Sequence, residues 1–314
     1  MSATQALDLV PFYSFNQSPL VQIYGLPTLG SGAVLPPHQT SVELHYGLAN
    51  NYTTNNNANE NLILDGETRR TTLVVKRGYR SGFEAGVEIP YISHVGGNMD
   101  SFIDNWHDFF GFPDGGRSQA PKDRLLYRYA RNGTTRFNIE QSEQGVGDVR
   151  LAFAQSLNAG AQSTAASLRA SLKLPTGNEA KLMGSDAPDL ALWLSAACGV
   201  SDCTEFGWYG GGGLLWLGSG EVLPEMQQKV VGFGSAGLSW QAFSSVAVKT
   251  QIDAHTPFYS GSDFEELSSN SAQVILGATF SITRETQFDL SISEDIVVNT
   301  APDVSFHLGL RSRF

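Results

Sequence analysis

The side chains of this 314-residue sequence that could do chemistry are six histidines, two cysteines and a scatter of charged residues. His45 and His307, with Glu43 two residues before the former, are of the right types for a general acid–base pair, and His94 and His107 lie around a long polar stretch. Serine-type hydrolysis needs a serine and a polar orienting group beside the histidine. No Gly-x-Ser-x-Gly elbow accompanies these residues, no second Cys or His pair completes a zinc set, and no phosphate-cradling glycine loop is present. The reading is therefore of no catalytic centre, no metal and no cofactor. Cys198 and Cys203, separated by Gly-Val-Ser-Asp, are close enough to bridge across a tight turn, and a disulfide there would fit an oxidising compartment.

The remaining ionisable residues gain meaning from their phase. Val304, Phe306, Leu308 and Leu310 alternate with Ser305, His307, Gly309, Arg311 and Arg313, and Phe314 follows, with Ser312 a mild departure. Period two with one apolar and one charged face is a half-buried strand. It is also the C-terminal pattern of bacterial outer-membrane barrels, whose assembly machinery reads the last strand. The same alternation gives twelve strand candidates, near 40–51, 69–79, 82–91, 145–156, 164–175, 189–199, 204–217, 229–240, 245–256, 271–282, 287–296 and 303–314. Those at 69–79 and 229–240 are less regular, and Gly210–Gly213 interrupts the seventh, where the glycines suit close packing of the lead segment, residues 1–39. The even-numbered connections are short, while the odd ones (52–68, 92–144, 176–188, 218–228, 257–270) are mostly longer. Short turns on one rim and long loops on the other are the asymmetry of membrane barrels.

Alternation alone does not say which face is outside, since soluble sandwiches and barrels alternate too. A closed barrel of twelve strands is too wide for side chains to fill with apolar groups. The polar phase carries Glu43, His45, Lys76, Glu84, Glu88, Asp148, Arg150, Arg169, Lys173, Lys249, Asp253, His307 and Arg311, the candidates for a pore lining, with Asp289 and Arg313 in the same phase. Both signs appear, so no single-sign selectivity filter is indicated. Tyr79, Tyr91, Trp208, Trp216, Trp240 and Phe314 fall near strand ends, where interfacial girdles belong. His45 and His307, on the first and last strands, become neighbours when the barrel closes.

The fold class is thus all-β, a 12-stranded antiparallel transmembrane β-barrel over 40–314, with a long external loop at 92–144. Residues 1–39 form a lead whose five prolines forbid regular structure and whose aromatic content suits a plug folded toward the lumen. In the long loop, apolar residues 102, 103, 106, 109 and 110 predict a helix ended by Gly111, and Asn132-Gly133 predicts a hairpin turn. No run of about 20 apolar residues offers a transmembrane helix. A net charge of −11 argues against a nucleic-acid partner. No tripartite signal peptide opens the sequence, so an exported chain would be the mature form.

Several segments together resemble the DUF3187 family of outer-membrane proteins. They are Asn16-Gln-Ser-Pro-Leu with Ile23-Tyr-Gly-Leu-Pro, and Phe102-Ile-Asp-Asn-Trp-His-Asp-Phe-Phe-Gly-Phe-Pro. Gly145-Val-Gly-Asp-Val-Arg-Leu, Leu172-Lys-Leu-Pro-Thr-Gly and Ala301-Pro-Asp-Val-Ser-Phe also fit, and look like motifs of channels related to the phenol meta-pathway transporters. The resemblance implies a twelve-strand barrel and passive passage of small, bulky or apolar molecules, and carries no catalytic residues. The expectation is a channel in the outer membrane of a Gram-negative bacterium, with membrane lipid, the assembly machinery and an unidentified solute as partners. A lipid-modifying enzyme and a nonconducting structural barrel are the alternatives.

Overall fold

Alternating sequences close here into a ring. The computed structural model describes residues 7–97, 99, 121–158, 164–199, 202–297 and 300–314. The strands are β1 (Thr40–Asn56), β2 (Glu60–Tyr79), β3 (Phe83–Val95), β4 (Leu126–Arg131), β5 (Thr134–Ile139), β6 (Glu143–Val146), β7 (Arg150–Ser156), β8 (Thr164–Lys173), β9 (Asp189–Cys198), β10 (Phe206–Leu217), β11 (Val230–Phe243), β12 (Val246–His255), β13 (Ser271–Ser281), β14 (Thr286–Asp295) and β15 (Val304–Arg313). β1, β2, β3 and β7 through β15 pair antiparallel in that order, and β15 pairs back onto β1 with Ser41 opposite Arg313 and Asn50 opposite Val304. That is a closed barrel of twelve strands without a free edge.

The apolar phase faces out. On β9, Leu190, Leu192 and Leu194 are exposed, while Ala191, Trp193 and Ser195 are buried. Leu44, Leu238, Ile252, Leu276, Leu290 and Leu308 extend the exposed apolar surface around the ring. A contiguous belt of this kind suits acyl chains and not water. Trp208 and Trp216 are exposed on β10, eight residues or roughly 26 Å apart along the strand, and strand tilt brings that to the order of the apolar band. Tyr79, Tyr91, Trp240 and Phe314 are exposed as well, and Phe206 stacks on Trp240 across the β10–β11 pair with centroids 6.0 Å apart. This is a transmembrane β-barrel.

Three features depart from the sequence reading. The stretch 52–68 is not a loop: β1 and β2 stay paired as far as Asn56 and Asn61. Above the membrane the outward face no longer has to be apolar, so the alternation fades while the ladder continues. There the inner face carries apolar residues, and Leu62 and Leu64 are buried. The candidate strand 145–156 is broken into β6 and β7, both on β3, because Gly147-Asp148-Val149 leaves the ladder. Asp148 there accepts hydrogen bonds from the backbone N–H groups of Thr176, Gly177 and Ser185. The glycines of β10 do not interrupt it, since pairing with β11 runs unbroken from Phe206 to Trp216.

The external hairpin is present as β4 and β5, and its turn residues Asn132 and Gly133 have φ of 49° and 75°, the left-handed pair such a turn requires. β4 adds to the top of β2, placing Tyr127 and Tyr129 over the lumen beside Leu62 and Leu64. Leu223, Met226, Phe258, Tyr259 and Phe264, from the connections after β10 and β12, complete this apolar cap. The helix expected around 102–110 lies outside the described residues.

Candidate functional site

The inner face of the barrel is occupied by the chain's own lead. β12 rises from the short-turn rim with Lys249, Gln251, Asp253 and His255 turned inward, and the lead follows it rung by rung. Lys249 Nζ lies 3.2 Å from Asp8 Oδ1, Gln251 Oε1 accepts from Phe12 N–H at 3.0 Å, and Ser14 Oγ donates to Asp253 Oδ2 at 2.6 Å. Asn16 Nδ2 reaches His255 Nε2 at 3.0 Å and Ser271 Oγ at 3.2 Å. The chain turns at Ser18–Tyr24 beneath the cap, where the Tyr259 hydroxyl donates to Leu20 O. Burial and the neighbouring Tyr24 push the Tyr259 phenol well above its ordinary pKa, so it remains a donor.

The descending leg crosses to the opposite wall. Gly25 N–H donates to Asp189, Leu29 O accepts from both Trp193 Nε1 and Ser195 Oγ at 2.7 Å, and Leu35 N–H donates to Glu84. Wall glycines make room for this path, Gly47 and Gly211 among them. A Cβ on Gly47 would collide with the Gln17 amide, and one on Gly211 would stand 2.8 Å from Leu29 Cδ1 and collide with Leu194 O.

The chemistry of the contact is unusual in one respect. Residues 7–39 contain no lysine or arginine, yet wall cations point at them. Lys249 donates to Val10 O, Arg70 to Gln22 O, Lys173 to Ile23 O, Arg150 to Leu26 O, and Arg169 to Ser31 O and Ala33 O. Prolines 11, 19, 27, 36 and 37 keep the lead out of helix and sheet, so its carbonyls are free to accept. Those carbonyls stand where water would otherwise solvate the cations. Phe15 adds its ring, 5.0 Å from the Arg70 guanidinium and 5.4 Å from that of Arg150.

Twelve of the thirteen candidate lining residues lie on the inner phase of the strands, Asp148 reaches inward from the break between β6 and β7 to Lys173, and the structure groups all thirteen into local networks. Glu43 binds Lys76 at 2.9 Å and His45 at 3.0 Å, and His45 stacks on Tyr13 with centroids 4.0 Å apart. Glu84 faces Arg169 at 3.4 Å, while Glu88 lies 3.7 Å from Arg150 and accepts from the Tyr13 hydroxyl. Lys173 sits between Asp148 at 2.6 Å and Asp189 at 3.1 Å. Arg311 meets Asp8 at 3.1 Å. Asp253 belongs to the rising leg's ladder, and His307 contacts Gln17 at 3.2 Å and Ser293 at 3.1 Å. Cys198 and Cys203 form a disulfide, Cα atoms 6.1 Å apart, at the short-turn rim.

His45 and His307 are diagonal neighbours on β1 and β15, since Gly47 lies opposite His307. The sequence reading missed Asp8, Gln17, Arg70, Asp189, Gln251 and Ser293. Asp189 and Gln251 carry the inward phase of their strands and were legible from it. Arg70 lies where alternation is irregular, and the lead has no period at all. At the short-turn end the lead leaves a cavity of about 380 Å³, bounded by Val10–Tyr13, Val34–Pro36 and wall residues from Glu43 to Arg313.

A family described as a protein of unknown function (DUF3187) matches residues 1–314. The chain belongs to the DUF3187 family. No curated protein matches it in sequence. Among solved structures it is similar to the COG4313 outer membrane channel from Pseudomonas putida F1, with a TM-score of 0.56 and 12% identity over 91% of this chain and 98% of that one. That likeness gives the family member the fold of an outer-membrane barrel. Weaker matches are the NanC porin, TM-score 0.47, 8% identity, 86% and 98% covered, and the Ralstonia pickettii toluene transporter TbuX, TM-score 0.42, 8% identity, 99% and 97% covered.

Proposed function

We propose that this protein is a channel of the Gram-negative outer membrane for passive diffusion of small molecules, and that residues 1–39 are its plug. The single observation that carries the reading is a polar, water-compatible inner wall whose hydrogen bonds are completed by the non-sheet lead segment of the same chain. A structural barrel has no need of a wall that solvates a foreign backbone. The apolar cap over the outer end and the lead beneath it make the described conformation the closed one. Opening requires the lead to leave its cationic rungs, after which solute passes along the mixed-charge wall. Conductance is the test: in planar bilayers the full chain gives rare, small openings, and deletion of residues 7–36 raises the open time and unit conductance. A folded deletion variant, judged by heat-modifiable gel mobility, that is as silent as the full chain would reject the channel.

The second reading is acyl transfer. Ser293 Oγ lies 3.1 Å from His307 Nε2, and Gln17 lies on the other ring nitrogen, a row resembling a hydrolytic triad. The adjoining cavity holds only about 10 Å³, and the row faces the lead and not the lipid. Lipid mass spectrometry of cells carrying the wild type or Ser293→Ala separates the readings, with no change expected.

A further inference from the structure

The cavity at the short-turn end carries one guanidinium too many. Four cations border it, Lys76, Arg169, Arg311 and Arg313, against Glu43, Glu84 and Asp289. Lys76 is committed to Glu43 and Arg169 to Glu84. Asp289 accepts from the Thr279 hydroxyl and lies 3.9 Å from Lys249, and Asp8 is shared between Lys249 and Arg311. Among the described residues no hydrogen bond or ion pair within 4 Å holds the Arg313 guanidinium, which Asp8, Glu43 and Glu84 attract only from farther away, and the buried Arg311 Nε has no partner.

This local surplus stands out in a chain of net charge −11. Unpaired guanidinium N–H groups beside a cavity are a fork for a carboxylate, which accepts two parallel hydrogen bonds from them. The lead contributes apolar groups to the same cavity, Val10, Phe12, Val34 and Leu35 among them, beside the polar Thr28, Ser31 and Gln39. A volume of about 380 Å³ falls within the range of small-molecule sites.

We propose that this vestibule binds a small amphipathic carboxylate, its anionic head on Arg313 and Arg311 and its apolar body against the lead. The inference deepens the channel reading by naming a solute class, yet binding is measured without conduction, so the two fail separately.

Isothermal titration of the full chain in detergent with benzoate, and with benzamide as its neutral counterpart, tests the assignment. Benzoate should bind, benzamide about tenfold or more weakly, and Arg313→Gln should weaken benzoate by about tenfold or more while leaving benzamide unchanged. Arg313→Lys, which keeps the charge but not the fork, should restore part of the loss. Equal affinity for the two probes, no benzoate binding, or an unaffected Arg313→Gln variant that is folded by gel mobility would overturn it. Benzoate binding by a protein silent in bilayers would keep the site and remove the channel. Conduction without benzoate binding would do the reverse.

Discussion

Lys249 concentrates the logic of the lumen at one residue. Its side chain is 0% exposed, its ammonium meets Asp8 and Val10 O, and it sits 4.6 Å from the centre of the Phe12 ring. Three consecutive parts of the lead therefore solvate one lysine. A buried pair of this kind is weak evidence for overall stability, but removing one partner leaves an uncompensated charge at a cost of about 3–5 kcal/mol. Asp8 is shared with Arg311, so Asp8→Ala strips two buried cations at once. The expected outcome is a shift of the lead toward its undocked state by about a hundredfold or more. Limited chymotrypsin digestion reads it, because Phe12, Tyr13 and Phe15 would become cleavable at least tenfold faster. Cleavage no faster than in the wild type would mean that the ion pair holds nothing.

At the level of the strands, the wall was legible in the sequence wherever both faces are under constraint. Across the membrane an outward residue must be apolar and an inward one polar, so β8, β9, β12 and β15 declare their phase directly. The constraint stops at the bilayer surface, and the reading stopped with it: the upper halves of β1 and β2 look like a loop because polar residues are tolerated on both faces. Glycine misled for a related reason. Gly210–Gly213 have no side chains to alternate, but backbone pairing does not need them, and Gly211 leaves space for Leu29. The phase assignment makes a sharp prediction on β9. Leu192, 43% exposed at mid-strand, placed as arginine should cost about 2–4 kcal/mol of stability in lipid. Arginine at the lumenal neighbour Ser195 should instead act through the lead, whose Leu29 carbonyl it would displace. Denaturant unfolding in vesicles checks the first and chymotrypsin digestion of the lead the second. Equal loss of vesicle stability in both variants would contradict the outward placement of Leu192.

Considered whole, the molecule is a wide barrel that fills itself. About eight strands already reach the width that side chains can pack, so a twelve-strand wall needs water, a ligand or more protein inside. Here the lead lies along the inner wall, and the sequence suggested only in outline that it is more than a tail. Its prolines and aromatics said that it is neither helix nor tail. Its path could not be read, because a segment without a period has no phase to match against the wall. The decisive contacts are backbone carbonyls, which every sequence possesses. If conduction requires the lead to leave, fastening it should silence the channel without altering the wall. Ser14 and Asp253 supply the point of attachment, since Ser14 Oγ lies 2.6 Å from Asp253 Oδ2 on the rising leg. Ser14→Cys combined with Asp253→Cys should crosslink in oxidising conditions and abolish the openings of the full chain, and reductant should restore them. The single variants and the reduced wild type control for lost polar contacts and for the native Cys198–Cys203 bridge. A crosslinked protein, verified by mass spectrometry, that still conducts as the single variants do would mean that solute passes beside a seated lead, and the plug would have to be abandoned.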